Sequence, residues 1–168
     1  MTAAPQDPQA LFERLLLLTG QMNYMWTNTE SLLIHVIAGL CGTDKDRAVI
    51  IFLTLNTTRA RIDLVDRLAK MPGRDAGERD AILDCTRALA RFSGIRNRFN
   101  HCIYSFDAES GSPQTILMRI ADRKTGIEVG RTEKIDHEEL ARVEATLADL
   151  SALNKRIWQL IARQGYPA

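Results

Sequence analysis

The chain has 168 residues, of which 45% are hydrophobic and 26% charged, and its formal net charge at pH 7 is +1. This length suits one domain spanning residues 1–168, large enough to fold without disulfide bonds. A net charge so close to zero excludes attraction of nucleic acid or membrane by the field of the whole protein, so any RNA contact must come from a local patch.

Cysteine usage and hydropathy indicate the compartment. The N-terminal segment MTAAPQDPQALFER lacks the basic and apolar regions of a signal peptide. The longest uncharged apolar run, Leu32 to Cys41, is far shorter than the roughly 20 residues of a membrane-spanning helix. Cys41, Cys85 and Cys102 lack CxxC spacing and stand in apolar contexts, which predicts reduced, buried thiols and no zinc site. We expect a cytoplasmic protein with no membrane association.

Helix signals begin at the N-terminus. Asp7-Pro8 predicts a capped helix start, and this first helix should run to about Gly20. Thr27-x-x-Glu30 has capping-box spacing, which predicts a second helix from there to residues 39–42. One uninterrupted helix through Met22–Trp26 fits the same residues.

Two longer helices are predicted next. The third helix is capped by Asp44 or Thr43 and ends at Met71-Pro72-Gly73, and the fourth begins near Gly77–Glu78. Both have stripes that step by three and four residues. The stripe of the third helix is Ala48, Ile51, Leu55, Thr58, Ile62, Val65 and Ala69. The stripe of the fourth is Ile82, Cys85, Leu89, Phe92, Arg96, Phe99 and Ile103.

A short β segment and a last helix complete the chain. Residues 107–114 form a predicted loop, and β-branched alternation favours a hairpin of strands 115–121 and 127–132. The final helix begins at Asp136, with Glu139 completing a capping box. The predicted fold class is all-α, an antiparallel bundle of four to five helices with a small β-hairpin, about 115–132, inserted before the last long helix.

The segment that points to chemistry is Arg96-Asn97-Arg98-Phe99-Asn100-His101. Arg96 occupies an apolar stripe position, where a lone guanidinium is costly unless it is paired, solvated or functional. Asn97 and His101 lie one above the other on a helix, whereas Arg96 and His101 are about 140° apart and can flank a groove.

The residue types in this segment suit phosphodiester chemistry. Arginine binds phosphate and stabilises the charge that grows during phosphoryl transfer, histidine serves as general acid or base, and an amide orients either the histidine or the substrate. This chemistry requires no metal or cofactor, and the chain has no carboxylate cluster with metal-binding spacing and no glycine-rich phosphate loop.

The Arg96-Asn97-x-x-x-His101 motif in a helical bundle resembles the HEPN superfamily (higher eukaryotes and prokaryotes nucleotide-binding). That family's motif is an arginine, four to six residues and a histidine, often with Asn, Asp or His directly after the arginine. The resemblance is sharp over this segment and architectural elsewhere, and the hairpin lies outside the family's minimal pattern. It implies a domain that dimerises with its two motifs facing each other. In active members it implies a metal-independent endoribonuclease, with Arg96 and His101 catalytic and Asn97 supporting.

The resemblance also implies a biological setting. Many members are toxins or defence nucleases, often paired with an antitoxin or a nucleotidyltransferase-type partner. Others have lost activity and serve as binding modules. The sequence therefore leaves two hypotheses open: a homodimeric HEPN-like endoribonuclease that cuts RNA, or a non-catalytic module for dimerisation, nucleotide binding or partner binding.

The motif residues also have structural interpretations. Arg96 can form an interhelical ion pair with Asp63, Asp66 or Glu30, and His101 can be a satisfied core histidine. Several arginines suit a basic rim for RNA, although the interleaved aspartates favour a salt-bridged solvent face. These arginines are Arg59, Arg61, Arg67 and Arg98.

The remaining distinctive polar and aromatic residues have structural interpretations. We expect His35 in the core or an interface, and His137 in solvent at the start of the last helix. Trp26 and Trp158 should be packing anchors, and Asn154 should set the register of the last helix.

Overall fold

A computed structural model describes residues 7–168, apart from the side chains of Arg119, Ala121, Arg123 and Val129. That part of the chain contains six helices and three strands. The helices are α1 (Pro8–Glu30), α2 (Leu33–Cys41), α3 (Lys45–Thr54), α4 (Thr58–Ala69), α5 (Ala76–Asn100) and α6 (His137–Gln164). The strands are β1 (Cys102–Phe106), β2 (Pro113–Arg123) and β3 (Gly126–Lys134). The predicted fold class is confirmed, because a mostly helical chain carries a small antiparallel sheet before its last long helix.

Helix α1 is continuous, so the uninterrupted alternative is correct and the predicted break near Gly20 is wrong. Asp7 caps the helix, with its Oδ1 accepting from the Gln9 amide at 3.0 Å. Leu18 and Met22, on either side of the glycine, are both buried. Their burial outweighs the cost of about 1 kcal/mol for a glycine inside a helix.

The single helix predicted over residues 44–71 is instead two helices. Asp44 caps α3 by accepting from the Arg47 amide at 2.8 Å. Leu55 then has extended backbone angles, φ −85° and ψ 105°. Thr57 caps α4, with its Oγ1 accepting from the Ala60 amide at 3.1 Å. The prediction failed because apolar spacing continues through the break, while the Thr57 hydroxyl supplies a new helix start.

The sheet has the order β1-β2-β3, and both neighbouring pairs are antiparallel. The predicted hairpin is confirmed with longer strands. Strand β1 was not predicted, because Ile103 fitted the stripe of the preceding helix. Cys102–Phe106 pairs instead with β2, where Ile103 lies opposite Ile116. An irregularity between Leu117 and Ile120 lies opposite Gly130, whose φ of 72° suits a glycine.

The chain divides into two compact units, which are described separately. In the first, residues 7–23 join residues 95–147. Its core is formed by apolar side chains from α1, the end of α5 and the start of α6. These are Leu11, Leu15, Leu18, Met22, Phe99, Ile135, Leu140 and Val143. Asp136 caps α6 as predicted, accepting from the Glu139 amide at 2.8 Å.

The second unit contains residues 24–94 and 148–168. Its core includes the fully buried Trp26, Ile37, Leu89, Leu150 and Ile157. No helix in the described part of the chain is long and apolar enough to cross a membrane.

Several polar and aromatic expectations concern this second unit. His35 is buried, with its Nδ1 2.7 Å from the Pro167 carbonyl oxygen. Asn154 donates to Thr29 Oγ1 at 3.1 Å, a side-chain contact that fixes the register of α6. Trp158, unlike Trp26, is 42% exposed. Cys41 is also exposed, so burial of all three thiols was wrong: it is the last residue of α2, beside the left-handed Gly42.

A candidate active site at the end of helix α5

The end of α5 is fixed by contacts that the helix itself cannot supply. The last carbonyl groups of a helix lack intrahelical partners. The Phe99 carbonyl oxygen accepts from the Tyr104 hydroxyl at 2.8 Å and lies 3.4 Å from Cys102 Sγ. Since Phe99 is only 2% exposed, it anchors this turn in the core of the first unit. The helix therefore ends at a defined place, and the motif lies on its last turns.

Arg96 and Asn97 are brought together by the structure. Arg96 Nη1 donates to Asn97 Oδ1 at 3.0 Å. Arg96 is half-buried and Asn97 is exposed. A half-buried guanidinium hydrogen-bonded to an exposed amide has a fixed position, while part of its surface is accessible to a ligand.

His101 follows α5 directly and is exposed. Its amide donates to the Asn97 carbonyl oxygen at 3.0 Å, and its own carbonyl oxygen accepts from the Met118 amide at 3.1 Å. The backbone is thereby held between the helix and β2. No described residue forms a hydrogen bond or ion pair with the imidazole, and the structure does not join it to Arg96 or to the Asn97 side chain. Exposure excludes the core-histidine interpretation and leaves both ring nitrogens available.

Arg98 forms two short ion pairs. Its Nη1 lies 2.5 Å from Glu139 Oε1, and its Nη2 lies 2.5 Å from Glu133 Oε2. The guanidinium also lies 5.0 Å from the centre of the Phe99 ring. Arg98 therefore ties α5 to β3 and α6, and it does not belong to a free basic rim. Sequence analysis missed this role because its partners lie at least 35 residues further along the chain.

Asn23 and Asn100 form a second link that the sequence did not indicate. Each side-chain amide donates to the other's carbonyl oxygen, at 2.9 and 2.8 Å. The residues are 77 positions apart, so no local spacing connects them. The pair joins α1 to the last residue of α5.

The carboxylates considered as partners of Arg96 have partners inside the second unit. Asp63 pairs with Arg59 at 2.9 Å, and Asp66 accepts from the Thr86 hydroxyl at 2.6 Å. Glu30 accepts from the Thr58 hydroxyl at 2.6 Å and pairs with Arg61 at 3.1 Å. Arg59 pairs at the surface, whereas the Arg61–Glu30 pair is largely buried, so neither arginine belongs to a free basic rim.

Two ionisable groups just after the motif are held neutral. Burial is the main cause that raises the pKa of Tyr104 to about 12, so its phenol persists as a donor to Phe99. Burial likewise raises the pKa of the Cys102 thiol. Neither group suits a role as base or nucleophile near neutral pH.

The described side chains do not group three or more His, Cys, Asp or Glu residues in a way that could hold a metal ion.

Exposed apolar side chains border the motif. Ile103 is 47% exposed and Met118 is 64% exposed, and the Met118 amide bonds the His101 carbonyl group. Exposed apolar residues that lie beside polar groups are typical of interaction surfaces.

No family model, curated protein or solved structure matches this chain.

Proposed function

We propose that this protein is a metal-independent endoribonuclease of HEPN type in which Arg96 and His101 are the catalytic groups and Asn97 supports them. The observation that carries the proposal is the exposed His101 imidazole, whose backbone is held one helical turn after the Arg96–Asn97 pair. A general acid or base must reach its substrate, and this histidine is open to solvent.

The reaction is an internal transfer at phosphorus. The ribose 2′-oxygen attacks the adjacent phosphorus and loses its proton to a base, so a 2′-O–P bond forms. The P–O5′ bond breaks, and the leaving oxygen takes a proton from an acid. The products are a 2′,3′-cyclic phosphate and a 5′-hydroxyl group, with no water or oxidant consumed. His101 performs the proton transfer, and Arg96 stabilises the negative charge on the phosphoryl oxygens.

Asn97 has a positioning role in this scheme. Its Oδ1 accepts from Arg96 Nη1 at 3.0 Å, which restricts the guanidinium to a limited range of positions. Preorganised donors are more effective than mobile ones because they need not reorganise as charge develops.

One protomer supplies one His101, whereas the reaction needs both a base and an acid. We therefore place two protomers with their motifs facing each other, as the HEPN resemblance implies. The exposed Ile103 and Met118 beside His101 support a contact surface near the motif. A toxin or defence role in the cytoplasm, with an antitoxin or a nucleotidyltransferase-type partner, follows from the same resemblance.

The test is incubation of the purified protein with mixed RNA in EDTA. Wild type should produce cyclic phosphate ends, and His101→Ala should reduce cleavage at least about a hundredfold. His137→Ala is the matched control, because His137 is also an exposed histidine of the first unit. Intact RNA with a folded wild-type protein, or equal cleavage by His101→Ala, would reject the proposal.

The exposed apolar residues also favour a second candidate, a non-catalytic module that dimerises or binds a nucleotide or protein partner. Ile103 and Met118 would then contact a partner, and Arg96 and His101 would bind it without chemistry. Sedimentation analysis of Ile103→Lys should show weaker self-association than wild type. Ile50→Lys, at a 67% exposed site on α3, is the control. Self-association without RNA cleavage would favour this module, and a monomeric wild type would remove its dimerisation role.

A further inference from the structure

The second unit has a groove between α5 and α6 that is lined by arginines. A depression of about 250 Å³ is bordered by Cys85, Arg156 and Arg163, and an adjoining one of about 260 Å³ by Arg91, Phe92 and Arg156. A third, wider opening of about 460 Å³ is bordered by Asp84, Arg87, Ala88, Arg91 and Arg156. Arg156 borders all three, and the third shares Asp84 with the first and Arg91 with the second. These three neighbouring depressions are together called the arginine groove.

Helical spacing arranges its basic residues in two rows. Arg87 and Arg91 are four residues apart on α5, and Arg156 and Arg163 are seven apart on α6, so each pair lies on one helix face. All four residues are exposed. Arg156 Nη2 lies 3.4 Å from the Asp84 carbonyl oxygen, so this side chain reaches from α6 to α5. Arginine side chains therefore lie on both α5 and α6, the two helices that form the groove.

The charge of the groove is only partly neutralised. Its carboxylates are Asp84, which pairs with Arg87, and Asp149. Arg91 and Arg163 form no ion pair with any carboxylate whose side chain the structure describes. The excess of arginine over aspartate gives this groove a positive local charge in a chain whose net charge is only +1. Burial raises the pKa of Cys85 in the floor, so the thiol adds no negative charge near neutral pH.

We propose that the arginine groove binds the phosphate backbone of a single RNA strand. Arginine suits phosphate because its planar donors match two phosphoryl oxygens, and a series of them along a groove follows a chain of phosphates. The proposal rests on the proposed function in taking RNA as the polyanion. It adds a binding site that is formed by residues other than Arg96, Asn97 and His101.

This groove recognises phosphate groups and has few features for reading bases. Phe92 is 8% exposed and so offers little ring surface for stacking. We therefore expect binding that depends strongly on salt and weakly on sequence, with similar affinity for RNA and DNA strands of the same length.

The test uses the full-length protein and a short fluorescent oligouridine with 2′-O-methyl groups, which cannot be cleaved through the 2′-oxygen. Fluorescence anisotropy gives Kd at several salt concentrations. The variant combines Arg91→Gln with Arg163→Gln, and it leaves no described carboxylate without its ion-pair partner. The matched control is Arg47→Gln with Arg67→Gln, which removes the same charge from exposed positions outside the groove. Thermal melts of all proteins establish that each is folded.

We expect the groove variant to raise Kd about tenfold. The magnitude of the slope of log K against log salt should fall by about 1.4, because two phosphate contacts are lost. The control should change neither quantity.

Equal weakening by both variants, no binding by wild type, or equally tight binding of polyglutamate would overturn the proposal. Binding through the groove without RNA cleavage in EDTA would reject the nuclease alone. Cleavage with unchanged binding by the groove variant would reject the groove alone.

Discussion

Arg98 donates to Glu139 over 2.5 Å, and the side chain of this glutamate is only 9% exposed. The same guanidinium binds Glu133 at 2.5 Å. Arg96, two residues earlier, contacts the exposed Asn97. Two neighbouring arginines of one segment thus have different surroundings: Arg98 joins secondary-structure elements, and Arg96 is half-buried and donates to an exposed amide.

This difference predicts opposite responses to truncation. Arg98→Ala should lower the free energy of unfolding by about 2 kcal/mol, because Arg142, at 3.4 Å, is then the one cation among the described residues that pairs with the buried Glu139 carboxylate. Arg96→Ala should lower it by less than Arg98→Ala does, because the exposed Asn97 amide can hydrogen-bond to water. Urea titrations would measure both values. Arg14→Ala, which breaks an exposed pair with Glu144, is the control and should cost under about 1 kcal/mol. A larger loss for Arg96→Ala than for Arg98→Ala would contradict this assignment.

Substitutions of Arg96 should distinguish the effect of its charge on catalysis from the effect of its planar shape. We expect Arg96→Ala to reduce the rate of RNA cleavage by about 10²- to 10³-fold, the usual effect of losing one group that stabilises transition-state charge. Arg96→Lys should have an intermediate rate, because lysine keeps the charge but lacks the planar pair of donors. Single-turnover cleavage of a labelled RNA would measure both rates. Arg47→Ala, at an exposed position on α3, serves as the control. Full activity in Arg96→Ala would remove this residue from the mechanism.

Tyr104 predicts a specific dependence of stability on pH. Its pKa is raised to about 12 in the folded protein, from an ordinary value of 10.0, mainly by burial. Folding therefore favours the neutral phenol. The resulting stabilisation is complete below about pH 10 and is lost as the pH rises towards 12, because the unfolded chain ionises first.

Tyr104→Phe would isolate this contribution. At neutral pH the variant should be about 1 kcal/mol less stable, since it loses the hydrogen bond to the Phe99 carbonyl group. Between about pH 10 and pH 12 wild type should lose more stability than Tyr104→Phe, as measured by urea midpoints. Tyr24, which is 70% exposed, provides the control, and Tyr24→Phe should follow wild type. A parallel decline of wild type and Tyr104→Phe would show that the phenol is not buried.

The three cysteines should differ in reactivity. Cys41 is exposed, whereas burial raises the pKa of both Cys85 and Cys102. The thiolate is the reactive form, so iodoacetamide should modify Cys41 at least about tenfold faster near pH 8. Peptide mass spectrometry over time would give the three rates, and modification in urea would give the reference without burial. Modification of Cys102 as fast as Cys41 would be inconsistent with the contacts at the end of α5.

Local signals in the sequence predicted features whose causes are also local. The Asp7 and Asp136 caps, the start of α5 near Gly77 and the β-hairpin each depend on residues within a few positions of one another. Caps and turns act over such distances, so sequence spacing is sufficient to find them. The segment Arg96–His101 was likewise identified by its composition and spacing alone.

Tertiary structure decided features that depend on distant residues. The apolar stripe continues past Asn100, but pairing of Ile103 with Ile116 ends the helix and forms β1. Glu139, 41 positions after Arg98, makes that arginine structural. Periodicity records which side chains are apolar, but it does not record which partner a polar side chain meets once the chain is folded. The sequence therefore determined the helical class and the motif, and the folded contacts decided which arginine holds the structure and which histidine is open to solvent.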